Sequence, residues 1–113
     1  MKVLVPIKPV PNPDEKVKIK PDGSGIILDN IKMVVNPFCE IAVEEALRIK
    51  EKQGGEVVIA TVGPKGGDQQ VRNALAMGAD RGILVEAPDS LDSLAVAKVL
   101  AKVIEGEKPD IVL

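Results

Sequence analysis

Two short segments of this 113-residue chain carry residue types that could bind a ligand. The first is the loop of residues 63–67 (GPKGG), which lies between an apolar run and a helical pattern. Open backbone amides and the helix dipole favour an anion such as phosphate at such a junction. The loop matches neither the G-x-G-x-x-G fingerprint nor the P-loop pattern, so the motif alone favours a plain strand-to-helix connection.

The second segment is Asn36, Pro37, Phe38 and Cys39, which joins a helix start to the only aromatic residue and the only thiol. Asn is a good N-cap and Pro suits the first helical position. This segment is a candidate binding surface. It offers the free backbone amides of a helix start, the side-chain amide of Asn36, and the ring of Phe38, which could lie against a purine. The alternative is plain N-capping with Phe38 in the core. For Cys39 we favour a packing role, because the chain offers it no His and no second Cys.

Composition excludes several classes of site. The chain contains no His and one Cys, which excludes a Ser-His-Asp or Cys-His arrangement, a His-ligated metal, an internal disulfide and a multi-Cys metal centre. The net charge of −2 gives no global attraction to nucleic acid. No apolar run approaches the ~18–20 residues of a membrane span, so we expect no membrane insertion. We expect the protein to reside in the reducing interior of a cell.

Short apolar runs alternate with helical patterns along the chain. The patterns predict strands at 3–7, 56–62, 82–86 and 110–113, and helices at 38–52, 68–77 and roughly 92–105, the last closed by Gly106 and Pro109. They also predict a surface β-hairpin over 17–20 and 26–29. Residues 8–14, with three prolines, are expected to be extended or turning. The last strand is only just begun at Leu113, so we expect the chain to be part of something longer.

Alternating β and α units predict an α/β fold, a doubly wound and mostly parallel sheet with helices on both faces. Ligands of such open sheets bind beyond the carboxyl ends of the strands. The candidate positions are therefore residues 6–9, 62–67 and 86–88, with the helix start at 36–39.

Five stretches of the sequence closely resemble the β subunit of the electron-transfer flavoproteins. They are residues 2–8 (KVLVPIK), 17–25 (VKIKPDGSG), 34–46 (VVNPFCEIAVEEA), 74–82 (ALAMGADRG) and 107–113 (EKPDIVL). The resemblance implies a Rossmann-like, adenine-nucleotide-binding domain, of which residues 1–113 are the N-terminal portion, apparently truncated in the fourth strand. It also implies a subunit of a soluble electron carrier and not an enzyme in its own right.

The resemblance further implies cofactors and partners. The redox-active FAD is held mainly by a partner α subunit, while the β subunit holds a structural AMP, or a second FAD in electron-bifurcating members. Electrons come from flavin dehydrogenases, such as the acyl-CoA dehydrogenases of fatty acid oxidation, and leave to a quinone oxidoreductase or another acceptor. The expected location is the cytoplasm, or the mitochondrial matrix in a eukaryote. By position, the nucleotide contacts fall on Pro6, Asn36, Pro37, Phe38, Cys39 and Val62.

Family members continue into a loop and helix that supply most phosphate contacts. We therefore expect these 113 residues to bind AMP weakly or not at all, and to self-associate through uncovered apolar faces or a sheet edge. Two other classes share this architecture. A free-standing nucleotide-binding signalling domain needs its own complete phosphate loop, and a nucleotide-cleaving ligase needs a Ser-Gly-Gly-x-Asp type loop after the first strand; we find neither.

Overall fold

The computed structural model describes residues 1–113, the whole of the chain. Its elements follow one another as β1 (Lys2–Pro6), β2 (Pro9–Pro11), β3 (Met33–Val35), α1 (Pro37–Gln53), β4 (Glu56–Gly63), a 3-10 turn (Lys65–Gly67), α2 (Asp68–Met77), β5 (Arg81–Glu86), α3 (Ser93–Glu107) and β6 (Ile111–Val112). The predicted alternation of strands and helices is confirmed, with boundaries that differ by one or two residues.

Four strands form a parallel sheet in the order β5-β4-β1-β6. β1 lies beside β4 from Lys2↔Glu56 to Pro6↔Ala60, and on its other side it pairs with β6. The chain therefore builds outward from β1 through β4 to β5 and then returns to the opposite side of β1. This reversal is the topological switch point of a doubly wound sheet.

Helices cover both faces of the sheet, because buried strands alternate their side chains between the two faces. The larger apolar cluster lies between the sheet and α1 with α2, and its buried members are Val3, Val5, Ile7, Val43, Ala46, Val57, Ile59, Val71 and Ala74. The smaller cluster joins the sheet to α3 through Leu4, Val58, Ala60, Ile83, Leu100, Val103 and Ile104. The predicted doubly wound α/β architecture is confirmed.

The segment between β1 and α1 is more ordered than predicted. β2 and β3 pair antiparallel from Pro9↔Val35 to Pro11↔Met33. Backbone hydrogen bonds at even positions flank this ribbon, from Asn12 N to Lys32 O (2.9 Å) and from Asn36 N to Lys8 O (3.0 Å). Pro9 and Pro11 stand at odd positions. At these positions the backbone N–H points away from the partner strand, so the missing N–H of proline does not prevent pairing.

The predicted surface hairpin forms, but it is shorter than the pattern suggests. Only Ile19 and Ile26 pair as a β-bridge, with hydrogen bonds from Lys20 N to Gly25 O (2.8 Å) and from Ile27 N to Lys18 O (2.7 Å). We refer to residues 16–28 as the hairpin.

The prediction that Gly106 ends α3 is wrong. The helix runs through Gly106 to Glu107, and Lys108 adopts the left-handed conformation (φ 49°) that ends it. In this last turn the Glu107 carboxylate is held by Arg81 of β5 and Lys2 of β1.

Candidate functional site

A groove of about 220 Å³ lies across the carboxyl ends of β1, β4 and β5. Its walls come from the residues after β1, from the end of β4 with the following loop, and from the segment between β5 and α3. The lining residues are Lys8, Pro9, Thr61, Val62, Gly63, Pro64, Gly67, Pro88, Asp89, Leu91 and Val96. This is the edge at which ligands bind in open parallel sheets.

The backbone around the groove is fixed by the sheet. Ile7 N donates to Ala60 O (2.8 Å) and Ala87 N donates to Gly63 O (3.0 Å), so parallel pairing continues to the last residues of the strands. The next loop closes as a 3-10 turn in which Gly67 N donates to Pro64 O (3.0 Å). A groove with such a frame is largely pre-formed, as small-ligand sites usually are.

Thr61 and Lys8 give the groove polar character beyond its backbone. Thr61 is buried in β4, and its hydroxyl oxygen has no hydrogen-bond partner. Lys8, the one cationic side chain of the lining, is exposed, and Asp89 is its one carboxylate. The accessible charged groups of the lining are therefore one cation and one carboxylate on an otherwise apolar or backbone surface.

Asn36 connects the start of α1 to the groove. Its backbone N–H donates to the carbonyl of Lys8 (3.0 Å), and its side-chain Oδ1 accepts from the N–H of Phe38 (2.9 Å). The predicted N-cap is confirmed, and Pro37 occupies the first helical position. Because Asn36 is bonded to Lys8, the N-terminus of α1 lies beside the part of the groove that follows β1.

The six residues predicted as nucleotide contacts occupy different surroundings. Val62 lines the groove, and Pro6 ends β1 in a half-buried position. Asn36 touches the Lys8 backbone, but none of residues 36–39 lines the groove itself. Cys39 packs against the larger apolar cluster, which confirms its packing role. Phe38 is 82% exposed, so the alternative that placed it in the core is wrong.

Several groove residues fall outside that set of six. Lys8, Gly63, Pro64, Gly67 and Pro88 lie in the stretches that strand-end geometry predicts. Thr61 was not predicted, because a Thr within an apolar run reads as a strand residue. Asp89, Leu91 and Val96 come from the approach to α3, for which the sequence pattern carried no signal of a site.

A broader depression, about 580 Å³, lies on the hairpin between Lys20 and Asp29. It is more open than the groove and lies away from the strand ends. Because the parallel sheet directs ligands to its carboxyl edge, we regard the smaller groove as the candidate site.

The opposite edge of the sheet is held by charged side chains. The Asp80 carboxylate accepts hydrogen bonds from Lys50 Nζ (2.7 Å) and from Val57 N (2.8 Å), and these bonds lower its pKa. Glu107 accepts from Arg81 (2.6 Å) and Lys2 (2.8 Å), which lowers its pKa to about 2. The ALAMGADRG stretch therefore joins α2 to β5 and stabilises the amino ends of the strands. The groove lies at the opposite, carboxyl ends.

Comparison with known proteins decides the family. Residues 24–113 match the electron transfer flavoprotein domain. The chain belongs to the electron transfer flavoprotein family. The resemblance predicted from the five sequence stretches is thus confirmed.

Individual electron transfer flavoproteins are similar over the whole chain. The electron transfer flavoprotein subunit beta of Bradyrhizobium diazoefficiens is 55% identical over 116 residues, covering 100% of this chain and 46% of the relative. The human subunit beta is 50% identical over 118 residues with the same coverage, and the Arabidopsis thaliana protein, named as mitochondrial, is 45% identical over 113 residues, covering 99% of this chain and 45% of its own length. The chain spans about half the length of the curated relatives it matches.

Two further observations describe this electron transfer flavoprotein chain. None of its helices is both long enough and apolar enough to span a lipid bilayer. No three His, Cys, Asp or Glu side chains are grouped so that they could hold a metal ion.

Proposed function

We propose that this chain acts as part of the β subunit of an electron carrier and contributes one side of an adenine-nucleotide site. The observation that carries the proposal is the 45–55% identity to proteins named electron transfer flavoprotein subunit beta over essentially the whole chain. The groove at the carboxyl edge supports it, because that edge is where doubly wound folds bind nucleotides.

In this proposal the chain supplies no catalytic acid or base. A partner α subunit holds most of the redox-active FAD, and electrons pass from flavin dehydrogenases, such as acyl-CoA dehydrogenases, to a quinone oxidoreductase or another acceptor. The β chain positions its own nucleotide and the partner. The proposed location is the cytoplasm or the mitochondrial matrix, and the mitochondrial name of the Arabidopsis relative supports the latter for eukaryotic members.

The nucleotide of this subunit is AMP, or a second FAD. We assign its contacts to Pro6, Asn36, Pro37, Phe38, Cys39 and Val62, together with the groove residues Lys8, Thr61 and Gly63. Asn36 supports this grouping, since its hydrogen bond to Lys8 joins the α1 N-terminus to the groove.

The size and charge of the groove indicate weak binding by these residues alone. Its volume of about 220 Å³ is smaller than the ~300–1,000 Å³ of typical ligand pockets, so it fits part of a nucleotide. A phosphate would meet only one cationic side chain, Lys8, in its lining. We expect AMP to bind this chain with a dissociation constant well above micromolar.

Two glycines of the same loop give a matched test of this site. A Cβ added at Gly63 or at Gly66 meets no atom within 4 Å, but only Gly63 lines the groove. Gly63→Leu should fill the groove and weaken AMP binding at least tenfold, whereas Gly66→Leu should leave it unchanged. Isothermal titration with AMP measures both variants.

Three results would contradict the proposal. Equal AMP binding by Gly63→Leu and the unsubstituted chain would remove the groove from the site. The absence of any binding at several millimolar AMP would remove the nucleotide from this chain. Micromolar or tighter binding would show that the groove holds a complete site and not one side of it.

A further inference from the structure

Gln70 is a buried amide in the first turn of α2. It is 3% exposed, although glutamine usually lies on protein surfaces. The helix begins directly after the 3-10 turn that ends at Gly67, a residue of the groove lining. Gln70 itself does not line the groove, so any part that it plays in the site is indirect.

The side chain of Gln70 donates a hydrogen bond to the backbone of a distant strand. Its Nε2 lies 3.1 Å from the carbonyl oxygen of Met33. A carbonyl oxygen can only accept a hydrogen bond, so the NH₂ group of the amide must lie on the Met33 side. Because Met33 begins β3, this bond ties the start of α2 to the ribbon formed by β2 and β3.

No other hydrogen bond joins this ribbon to a helix or to the parallel sheet. The ribbon's own backbone bonds pair β2 with β3, and the two bonds that flank it connect Asn12 with Lys32 and Asn36 with Lys8. Packing between the ribbon and the two helices is incomplete. A depression of about 420 Å³ lies there, lined by Asn12, Pro13, Val34, Val35, Pro37, Glu40, Asn73 and Met77. The bond from Gln70 is therefore the directional contact that fixes the ribbon against α2.

The position of the ribbon determines where α1 begins. β3 ends at Val35, and the next residue, Asn36, both caps α1 and donates to the Lys8 carbonyl. A displacement of β3 would therefore move residues 36–39 relative to the groove. Groups that bind a ligand lose affinity when they are displaced by a fraction of an ångström, so the residues that hold them in place matter to binding.

We propose that Gln70 is a positioning residue of the nucleotide site, which acts through Met33 to hold the ribbon, and with it residues 36–39, in place beside the groove. The inference rests on the proposed function, which assigns residues 36–39 to the nucleotide. Gln70 touches no nucleotide in this arrangement. Stability alone does not require an amide here, because an apolar side chain of the same length would lose one hydrogen bond and gain buried apolar surface.

The test measures AMP binding by two variants of Gln70 and one of its neighbour. Gln70→Met keeps the length of the side chain without the donor, and Gln70→Asn keeps the amide one methylene too short to reach Met33. Each should raise the dissociation constant for AMP about fivefold, followed by amide shifts of ¹⁵N-labelled chain. Gln69→Met is the matched control and should bind AMP normally, because Gln69 is exposed on the same helix and its side chain bonds only to Asn73 (3.1 Å).

Two measurements without AMP distinguish positioning from a general loss of stability. In Gln70→Met the amide resonances of residues 33–38 should shift and the Asn36 N–H should exchange faster with solvent, while the resonances of β5 stay in place. The thermal unfolding midpoint should remain within a few degrees of that of the unsubstituted chain. A midpoint lowered by more than about ten degrees in both Gln70 variants would show that the amide serves the core of the fold, and would overturn the positioning role.

The outcomes keep the inference distinct from the proposed function. If the unsubstituted chain shows no saturable AMP shift, the proposed function fails and the inference fails with it. If the unsubstituted chain binds AMP and both Gln70 variants bind within about twofold of it, the inference alone is wrong. If Gln69→Met weakens binding as much as Gln70→Met does, the effect does not come from the Met33 bond, and the inference is again wrong.

Discussion

Glu107 shows how single residues hold the amino edge of the sheet. It lies in the last turn of α3, where the helix dipole disfavours a carboxylate. Arg81 from β5 and Lys2 from β1 both contact it, and their hydrogen bonds lower its pKa to about 2 from an ordinary value of 4.5. One carboxylate thus joins α3 to two strands of the sheet.

The pKa of Glu107 predicts a pH dependence of stability. Because the folded pKa lies below the unfolded one, the contribution is fully present above about pH 4.5 and is lost as the pH falls toward 2. Glu107→Gln should lower the free energy of unfolding at pH 6 by up to about 1 kcal/mol and flatten its decline in acid. Urea denaturation at pH 3 and pH 6 measures this.

Glu105 provides the control for that measurement. Its carboxylate pairs only with Lys102, and both side chains are largely exposed. Glu105→Gln should leave the pH dependence unchanged. An identical acid response of the Glu107→Gln variant and the unsubstituted chain would show that the network does not stabilise the fold.

At the scale of elements, the contact of α2 with β5 depends on the absence of a side chain. A Cβ on Gly82 would lie 2.2 Å from Cγ1 of Val71, which belongs to the larger apolar cluster. This close approach explains the glycine at the end of the ALAMGADRG stretch. Gly82 belongs to the packing of the fold and does not line the groove.

Gly82→Ala should therefore destabilise the protein by about 1–3 kcal/mol through overpacking. Gly106→Ala is the matched control, because its Cβ would meet no atom within 4 Å and Ala is favoured inside a helix such as α3. Denaturant unfolding should show the second variant as stable as the unsubstituted chain or slightly more so. Equal stability of the two variants would contradict this description of the α2–β5 contact.

The sequence predicted most elements because their signals are local. Apolar periodicity and the caps Asn36 and Gly78 sit within or beside the helices they define. The pairing of β2 with β3 was not predicted, because Pro9 and Val35 are far apart in the sequence and two of the three residues of β2 are prolines, which are unfavourable in strands. Gly106 was misread as an end because the contacts that continue α3 come from Arg81 and Lys2, far away in sequence.

The position of the groove was predictable from the sequence, but most of its lining was not. Parallel strands direct ligands to their carboxyl ends, which located Lys8, Val62 and Gly63 in advance. No local signal marks Thr61 or the approach to α3, because their place in the groove depends on how distant segments meet. The nucleotide contacts of residues 36–39 remain predictions, since those residues lie beside the groove without lining it.

At the scale of the whole molecule, the chain divides its surfaces among separate tasks. The amino edge is closed by ion pairs around Glu107 and Asp80. The carboxyl edge carries the groove, and the hairpin exposes the side chains of Val17 and Ile19.

The central claim, that the carboxyl edge of the sheet holds an adenine nucleotide, is tested most directly by titrating ¹⁵N-labelled chain with AMP and following backbone amide shifts. We expect saturable shifts at Lys8, Asn36 and residues 61–67, and none at Asp80 or Arg81 on the opposite edge. Shifts confined to the amino edge or the hairpin, or no saturable shift at all, would contradict the account.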